Sequence, residues 1–348
     1  MLLTVLGTPS AFTAWSIMLL RTAVEVTRGK FQYIAAVKFA DLEKAFGARA
    51  NDQVIIYSDS PDAKMADLLL RVKAPLTIFV EEPADVVGYV MKARELDARK
   101  SIRFACLCYT CLSTFHGSLS ARIFHRRSNT TVRRFLREVS AHYGLNLSEA
   151  DTEKVLSRLI KDYRRGTDPS VESQILQQVE IAKPLGRWAT ELDRDDRELV
   201  ELVLQPYYRM IEGRPPAQFI WPKQLFHTAN EKGAYVSGPL ELAGRSRFVI
   251  YAPHLCLPRG FWSATVQIKI GESYSQNTLL VDVKCGEVLS GGRIDLPESG
   301  TFIFSLPFAI EDHRVPIEIR FFLEKGAIEG WIDLVSVTLE RAPQGAAA

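Results

Sequence analysis

The sequence predicts an α/β domain, a parallel sheet in three layers, followed by an all-β sandwich. Three observations lead there. Short apolar runs alternate with helical patterns over the first hundred residues, residues 100–213 read as nearly all helix, and beyond Gly213-Arg214-Pro215-Pro216 the hydrophobic period switches to two.

The first strand is the apolar run within Met1 to Leu6, which leads through Gly7-Thr8-Pro9-Ser10-Ala11 into a helix over Phe12 to Val26. A turn that opens a helix aims N–H groups and a positive dipole end at its contents, the frame in which α/β proteins hold phosphates. Phe31 to Val37 is a second strand, Asp41 to Phe46 a short helix, and Gln53 to Tyr57 a third strand. Ser58-Asp59-Ser60-Pro61 follows, where Ser60 or Asp59 is expected to cap a helix over Asp62 to Val72. Leu76 to Val80 is a fourth strand, and Glu81-Glu82-Pro83-Ala84-Asp85 turns into a helix over Val86 to Ala98. Such alternation argues for parallel strands covered on both faces.

Helices are then expected over Ile102 to Leu119, Asn129 to Tyr143, Ser148 to Tyr163, Ser170 to Ala182 and Asp193 to Ile211. In the last third Ala264, Val266, Ile268 and Ile270 alternate with polar residues, as do Ile317, Ile319, Phe321 and Leu323. Shorter β runs lie at Phe248 to Tyr251, Thr278 to Val283, Thr301 to Leu306 and Ile332 to Leu339. The expected boundaries are an α/β domain over 1–212 with a helical second half, a linker at 213–222, a sandwich over 223–342 and a disordered tail at 343–348.

The chain has 348 residues, 47% hydrophobic and 24% charged, with a net charge of +2. That balance supplies no global field to select a polyanionic partner. Five cysteines, three of them crowded at Cys106, Cys108 and Cys111, do not form a disulfide framework, which points to a reducing, cytoplasmic setting. The apolar N-terminus is broken by Gly7-Thr8-Pro9 and closed by Arg21, so neither a transmembrane segment nor a targeting signal is expected.

Three stretches of the first domain resemble the cytosolic-type sulfotransferases, a P-loop-related α/β family that uses 3′-phosphoadenylyl sulfate. The family's Tyr-Pro-Lys-Ser-Gly-Thr-Thr-Trp falls on Thr8-Pro9-Ser10-Ala11-Phe12-Thr13-Ala14-Trp15. Its Lys-Thr-His-Leu-Pro falls on Tyr57-Ser58-Asp59-Ser60-Pro61, and its Arg-Asn-Pro-Lys-Asp-Val on Glu81-Glu82-Pro83-Ala84-Asp85-Val86, with Tyr89 in place of a serine. By this resemblance Pro9, Ser10, Ala11, Thr13, Glu81, Asp85 and Tyr89 mark the donor site, and Asp59 stands where the family has its general base. The departures are severe. Ser10 replaces the lysine that meets the leaving phosphate, Phe12 the glycine, and Glu81 the arginine that binds the 3′-phosphate. One unit-charge contact near 4 Å is worth roughly 4 kcal/mol at an effective dielectric of 20, so reversing its sign acts twice over.

Other residues carry two readings each. Asp59, Glu81, Glu82 and Asp85 lie at strand carboxyl ends, where they either cap helices or form an acidic site for a cation or general base. Cys106, Cys108 and Cys111 with His116 lack the turn residues of a zinc knuckle and read as core, so no metal is expected. The basic run Arg122, His125, Arg126, Arg127, Arg133, Arg134 and Arg137 is either a solvated face or a polyanion contact, with nucleic acid disfavoured for want of interleaved aromatics. The sandwich resembles the accessory domains of bacterial polysaccharide-biosynthesis glycosyltransferases through Gly238-Pro239, Leu257 to Trp262, Val281-Asp282-Val283 and Leu306-Pro307-Phe308. Its candidates for stacking on sugar rings are Phe322, Trp331 and Tyr274, while the phase of Trp262 assigns that ring to the core.

Together the resemblances imply a non-catalytic sulfotransferase-like protein with no cofactor, which binds a glycan or a polysaccharide-biosynthesis partner in bacterial surface-polysaccharide assembly. No nucleic acid is expected, and peripheral membrane contact stays open. The alternative is an active transferase with a rebuilt site for 3′-phosphoadenylyl sulfate or another nucleotide and Asp59 as base.

Overall fold

A computed structural model describes residues 1–229, 231 and 233–342, so the expected tail at 343–348 lies outside the described residues. The chain divides into two compact units, residues 1–204 with 210–213, and residues 205–209 with 214–348.

The first unit runs β1 (Leu2–Gly7), α1 (Ala11–Arg28), β2 (Gln32–Ala35), α2 (Phe39–Gly47), β3 (Val54–Ser58), α3 (Ala63–Val72), β4 (Leu76–Val80), α4 (Pro83–Arg94), α5 (Ala98–Ser113) and β5 (Ala121–His125). There follow α6 (Val132–His142), α7 (Glu149–Leu159), α8 (Val171–Gln178), α9 (Arg187–Glu191) and α10 (Arg194–Ile211), of which residues 205–209 count with the second unit. The strands form one sheet in the order β2-β3-β1-β4-β5, with every pairing parallel. Right-handed crossovers place α1 on one face and α2 to α5 on the other. On the α1 face Leu3, Val5, Ile55, Phe79 and Phe124 pack with Trp15, Leu19, Phe135, Val139 and Leu156 in one buried core.

Caps explain several boundaries. Ser10 accepts the Thr13 N–H at the start of α1, and Ser148 with Asp151 forms a capping box at α7. The cap of α3 is Asp62 rather than Asp59 or Ser60, and Pro61 stands before it. One carboxylate there serves two helices, because Asp62 accepts the N–H of Met65 at 2.8 Å through Oδ1 and that of Phe39, at the start of α2, at 2.8 Å through Oδ2. Pro83 opens α4 three residues before the expected start, and Asp97 caps α5, which begins at Ala98, four residues before its expected start at Ile102. The strand β5, within the stretch expected to be helical, completes the sheet.

The second unit holds β6 (Gln218–Trp221), β7 (His227–Thr228), β8 (Leu240–Glu241), β9 (Arg247–Tyr251), β10 (Pro253–Leu255), β11 (Gly260–Gly271), β12 (Thr278–Cys285), β13 (Glu287–Asp295), β14 (Gly300–Ile310), β15 (Ile317–Leu323) and β16 (Trp331–Arg341). These make two antiparallel sheets, β13-β12-β15-β9-β7 with β10 beside β15, and β14-β11-β16-β6 with β8 beside β16. The alternating apolar residues of β11 and β15 are buried as their period requires, and Trp262 is buried with them. Residues 218–221, expected to be linker, are β6, paired along β16 from Val337 to Glu340.

Candidate functional site

The winding direction reverses at β1: the chain leaves it toward the β2 edge, and every later crossover in the sheet runs the other way, so the helix after β1 and those after β3 and β4 take opposite faces. An open α/β sheet places its ligand crevice there, beyond the carboxyl ends of β1 and β4. Those ends carry Gly7-Thr8-Pro9-Ser10 and Glu81-Glu82. The Thr8 N–H donates to the Phe79 carbonyl at 2.9 Å and the Glu81 N–H to Thr8 Oγ1 at 3.3 Å, which stitches the two strand ends together. Gly7 permits this closeness, since a Cβ on it would fall 2.7 Å from the Thr13 side chain.

The crevice is filled by the protein itself. Glu81 is 2% exposed, and its Oε2 accepts the Phe12 N–H of the first turn of α1 at 3.5 Å. That is where the helix dipole and unpaired N–H groups would hold a phosphate oxygen, so a carboxylate of the chain occupies the anion position. Its other oxygen receives Arg126 Nη1 at 2.5 Å. Arg126 is 6% exposed, donates to Glu172 through Nε at 2.8 Å and Nη2 at 3.0 Å, and donates to the Lys183 carbonyl at 2.7 Å. Burial alone would lower the Arg126 pKa, but Glu81 and Glu172 outweigh it and hold the guanidinium above its ordinary range. The Tyr109 hydroxyl donates to the Glu81 carbonyl at 2.9 Å.

Phe12 adds a steric seal. Its ring lies 5.6 Å from Phe79, edge to face, and 5.5 Å from Phe135, so a position that must be small for a phosphate to approach the backbone belongs to the aromatic core. Pro9, Ser10, Ala11 and Thr13 are buried alongside.

Asp85 lies on the first turn of α4, 2% exposed. Its Oδ2 accepts the Gly186 N–H at 2.9 Å, and its Oδ1 is buried without a hydrogen-bond partner. Burial, with the nearby Glu81 charge adding to it, pushes the Asp85 pKa up to about 6, against the lowering effects of the Gly186 N–H and Arg126. The segment it holds closes over α4. A Cβ on Gly88 would fall 2.2 Å from the Trp188 ring, so the missing side chain is what seats Trp188, and the Leu185 N–H is held by Glu172 at 2.8 Å. Tyr89 is half-buried on the same helix, its hydroxyl pKa raised by burial and then by Glu81.

Asp59 stands apart from this network. It follows β3, receives the Ser60 hydroxyl at 2.7 Å and lies 3.8 Å from Arg94. The structure thus brings Ser10, Ala11, Thr13, Glu81 and Asp85 to one buried junction and leaves Asp59 outside it. Cys106, Cys108 and Cys111 are buried on α5, and among the described residues no group of three His, Cys, Asp or Glu side chains is placed to hold a metal ion.

In the second unit the outer face of the β13-β12-β15-β9-β7 sheet carries a second set. Phe322 meets Phe248 at 5.0 Å in a T-shaped pair, and the Arg320 guanidinium lies 5.3 Å from the Phe248 ring centre. Arg320 grips Asp282 with two bonds of 2.8 Å, which hold its pKa above the usual arginine value. Trp331 and Tyr274 lie elsewhere. Trp331 covers Gly271, where a Cβ would fall 2.4 Å from its ring, and Tyr274, 65% exposed, sits in the loop before β12. The Ser275 hydroxyl donates to Glu329 and ties that loop to the segment leading into β16. Among the described residues, Phe322 is the one of the three aromatic candidates with a second ring beside it, that of the exposed Phe248.

Sequence reasoning missed Arg126, Glu172 and the Trp188 segment. Arg126 was hidden in a basic run; with β5 in view it is the residue just past a strand's carboxyl end, the position that signals a ligand crevice.

No family model matches the chain, and no curated protein matches it. Among solved structures, mouse sulfotransferase SULT7A1 complexed with PAP is similar to the N-terminal region, at 10% identity over 61% of this chain and 87% of that one, with a TM-score of 0.43. TmCBM61 in complex with β-1,4-galactotriose is similar over 36% of this chain and 88% of its own, at 14% identity and a TM-score of 0.23. The CBM36-1 domain of a multidomain xylanase from the hindgut metagenome of Trinervitermes trinervoides is similar over 36% of this chain and 98% of its own, at 10% identity and a TM-score of 0.24. Each is a similarity of fold.

Proposed function

We propose that this is a non-catalytic, glycan-binding protein of surface-polysaccharide assembly, in which an α/β unit has exchanged its nucleotide place for internal packing and a β-sandwich presents the sugar-binding face. One observation carries the first half. The anion position at the start of α1 holds the chain's own Glu81 carboxylate, paired with Arg126, and both are buried. A nucleotide phosphate would have to displace a buried ion pair, and breaking such a pair costs about 3–5 kcal/mol. The second half rests on the Phe322 and Phe248 rings beside the Arg320–Asp282 fork, which combines an apolar surface for a sugar's C–H face with polar groups for its hydroxyls.

The test is a thermal-shift titration of the full chain with 3′-phosphoadenosine 5′-phosphate, ATP, GTP and UDP-sugars, with and without magnesium, followed by an oligosaccharide panel. A ligand at a hundred times its Kd adds about 2.7 kcal/mol. No nucleotide shift, with oligosaccharide binding lost in Phe322→Ala, is the expected pattern. A shift with the adenosine bisphosphate would overturn the non-catalytic reading and return attention to Asp59 as a base.

A further inference from the structure

The basic run that sequence alone left between two readings is divided by the structure into three parts. Arg126 is consumed by Glu81 and Glu172, as described above. Arg133 is held by Glu149 at 2.6 Å, by Glu153 at 2.5 Å and by the Tyr163 hydroxyl at 3.1 Å, and serves the packing of α6 against α7. Of the remainder, Arg122, His125, Arg127 and Arg134 line an open hollow of about 280 Å³ between β5 and α6 together with one carboxylate, Glu138, and Arg137 lies outside it. Arg122 reaches that carboxylate at 3.4 Å and Arg134 at 2.9 Å. Arg127 is exposed and makes no ion pair or hydrogen bond among the described residues. His125 at the rim lies 3.9 Å from Glu212.

Three guanidinium groups in a hollow with one carboxylate, which pairs with two of them, leave an excess of positive charge with donor forks still open to solvent. Arg134 is 71% exposed along its side chain, so a ligand can reach it without unfolding anything. We propose that this hollow binds the sulfate or carboxylate group of an acidic glycan, with Arg127 and Arg134 as its principal donors and Arg122 as the third. Planar guanidinium forks match both oxyanions bidentately. The hollow is smaller than the roughly 300–1,000 Å³ of sites that enclose a drug-sized ligand, so it receives one charged group and the ring that bears it while the rest of the chain stays outside. A glycan fits better than a nucleic acid because the two aromatic rings that line the hollow, Phe124 and Phe135, are only 6% and 4% exposed and offer no stacking platform for bases. The proposal extends the glycan reading to the first unit, and it depends neither on the filled crevice nor on the Phe322 face.

The experiment measures binding of the full chain to a heparin-derived sulfated oligosaccharide and to an oligogalacturonate at 50 and 200 mM NaCl, with inorganic sulfate, anionic vesicles and single-stranded RNA as further arms. Arg127→Ser/Arg134→Ser is compared with Arg137→Ser/Arg164→Ser, an equal charge change on exposed residues outside the hollow, and with Phe322→Ala. Unfolding curves confirm that each variant is folded. A charge-assisted contact is worth about tenfold in affinity or more, so the first pair should weaken oligosaccharide binding by at least that factor while the control pair and Phe322→Ala leave it within about twofold. Equal losses in both pairs would replace the site with diffuse charge. Loss in Phe322→Ala alone would move the acidic glycan to the sandwich. Failure of the wild type to bind either oligosaccharide, or tighter binding to vesicles or RNA, would overturn the proposal.

Discussion

Removing the carboxylate that fills the crevice is the most direct perturbation of the first unit. In Glu81→Ala, Arg126 loses its 2.5 Å partner, and the Phe12 N–H loses its acceptor. The Coulomb attraction at that distance is about 7 kcal/mol at an effective dielectric of 20. Much of it is offset by the desolvation of Glu81 that the substitution relieves, which leaves about 3–5 kcal/mol for a broken buried pair. Because Glu172 and the Lys183 carbonyl still hold Arg126, the expected loss is at the lower end, about 3 kcal/mol. Urea unfolding at pH 7, followed through the transition of the first unit, measures it. The same variant also leaves a cation and helix-start N–H groups facing an empty position, so inorganic sulfate should stabilise Glu81→Ala and leave the wild type unchanged. A loss below about 1 kcal/mol, the worth of an ordinary hydrogen bond, or equal sulfate stabilisation of both proteins, would refute the idea that Glu81 is the crevice's built-in anion.

Asp85→Asn keeps an acceptor for the Gly186 N–H but removes a charge that burial disfavours. With the Asp85 pKa near 6 in the folded state and 3.8 as its ordinary value, this group's contribution to stability is fully present below pH 3.8 and is lost as pH rises through 6. The variant should therefore be more stable than wild type by up to about 3 kcal/mol at pH 8, with the gain shrinking below pH 6 and gone near pH 4; a pH-independent difference in paired melting curves would be incompatible with the assignment. Gly88→Ala puts a methyl 2.2 Å from the Trp188 ring. It should cost about 1–3 kcal/mol and open residues 183–191 to limited proteolysis, and an unchanged cleavage pattern would contradict that seating. Phe12→Ala, which moves the turn toward the small residue of a phosphate loop, should cost about 3–5 kcal/mol in urea unfolding as a buried phenyl is lost and should create no nucleotide binding while Glu81 remains; a nucleotide-dependent thermal shift would count against the crevice being filled twice over.

The parts of the fold that depend on local patterns were legible. Leu76 to Val80 is a run of buried β-formers bounded by turn residues, and β4 occupies those five residues. The alternation along β11 and β15 matches burial residue by residue, because a strand's period of two leaves no freedom once one face is inside. What failed was context. In β5, Ala-Arg-Ile-Phe-His breaks alternation at the adjacent Ile123 and Phe124, its Arg122 and His125 join Arg126 and Arg127, and the strand disappears into a basic run. The break between α4 and α5 was foreseen but placed a few residues late, since residues 84–113 stay compatible with helix and only the Asp97 cap marks the division.

The candidate site shows the same limit at the level of charge. Sequence shows that Glu81 stands where the resemblance calls for an arginine, and a carboxylate beside a helix start reads equally as a cap, a metal ligand or a lost contact. The choice is made by a residue 45 positions later. Arg126 enters from the end of the edge strand, and its guanidinium turns a carboxylate that would repel a phosphate into one half of a buried pair, with the other half of the fork spent on Glu172. The same strand end then sends Arg127 outward with nothing to pair. Two adjacent arginines therefore divide the roles, one buried in the crevice with Glu81 and Glu172 and the other exposed at the hollow between β5 and α6. Nothing in the composition of the run separates them, because the distinction lies in the alternation of a strand whose existence had first to be known.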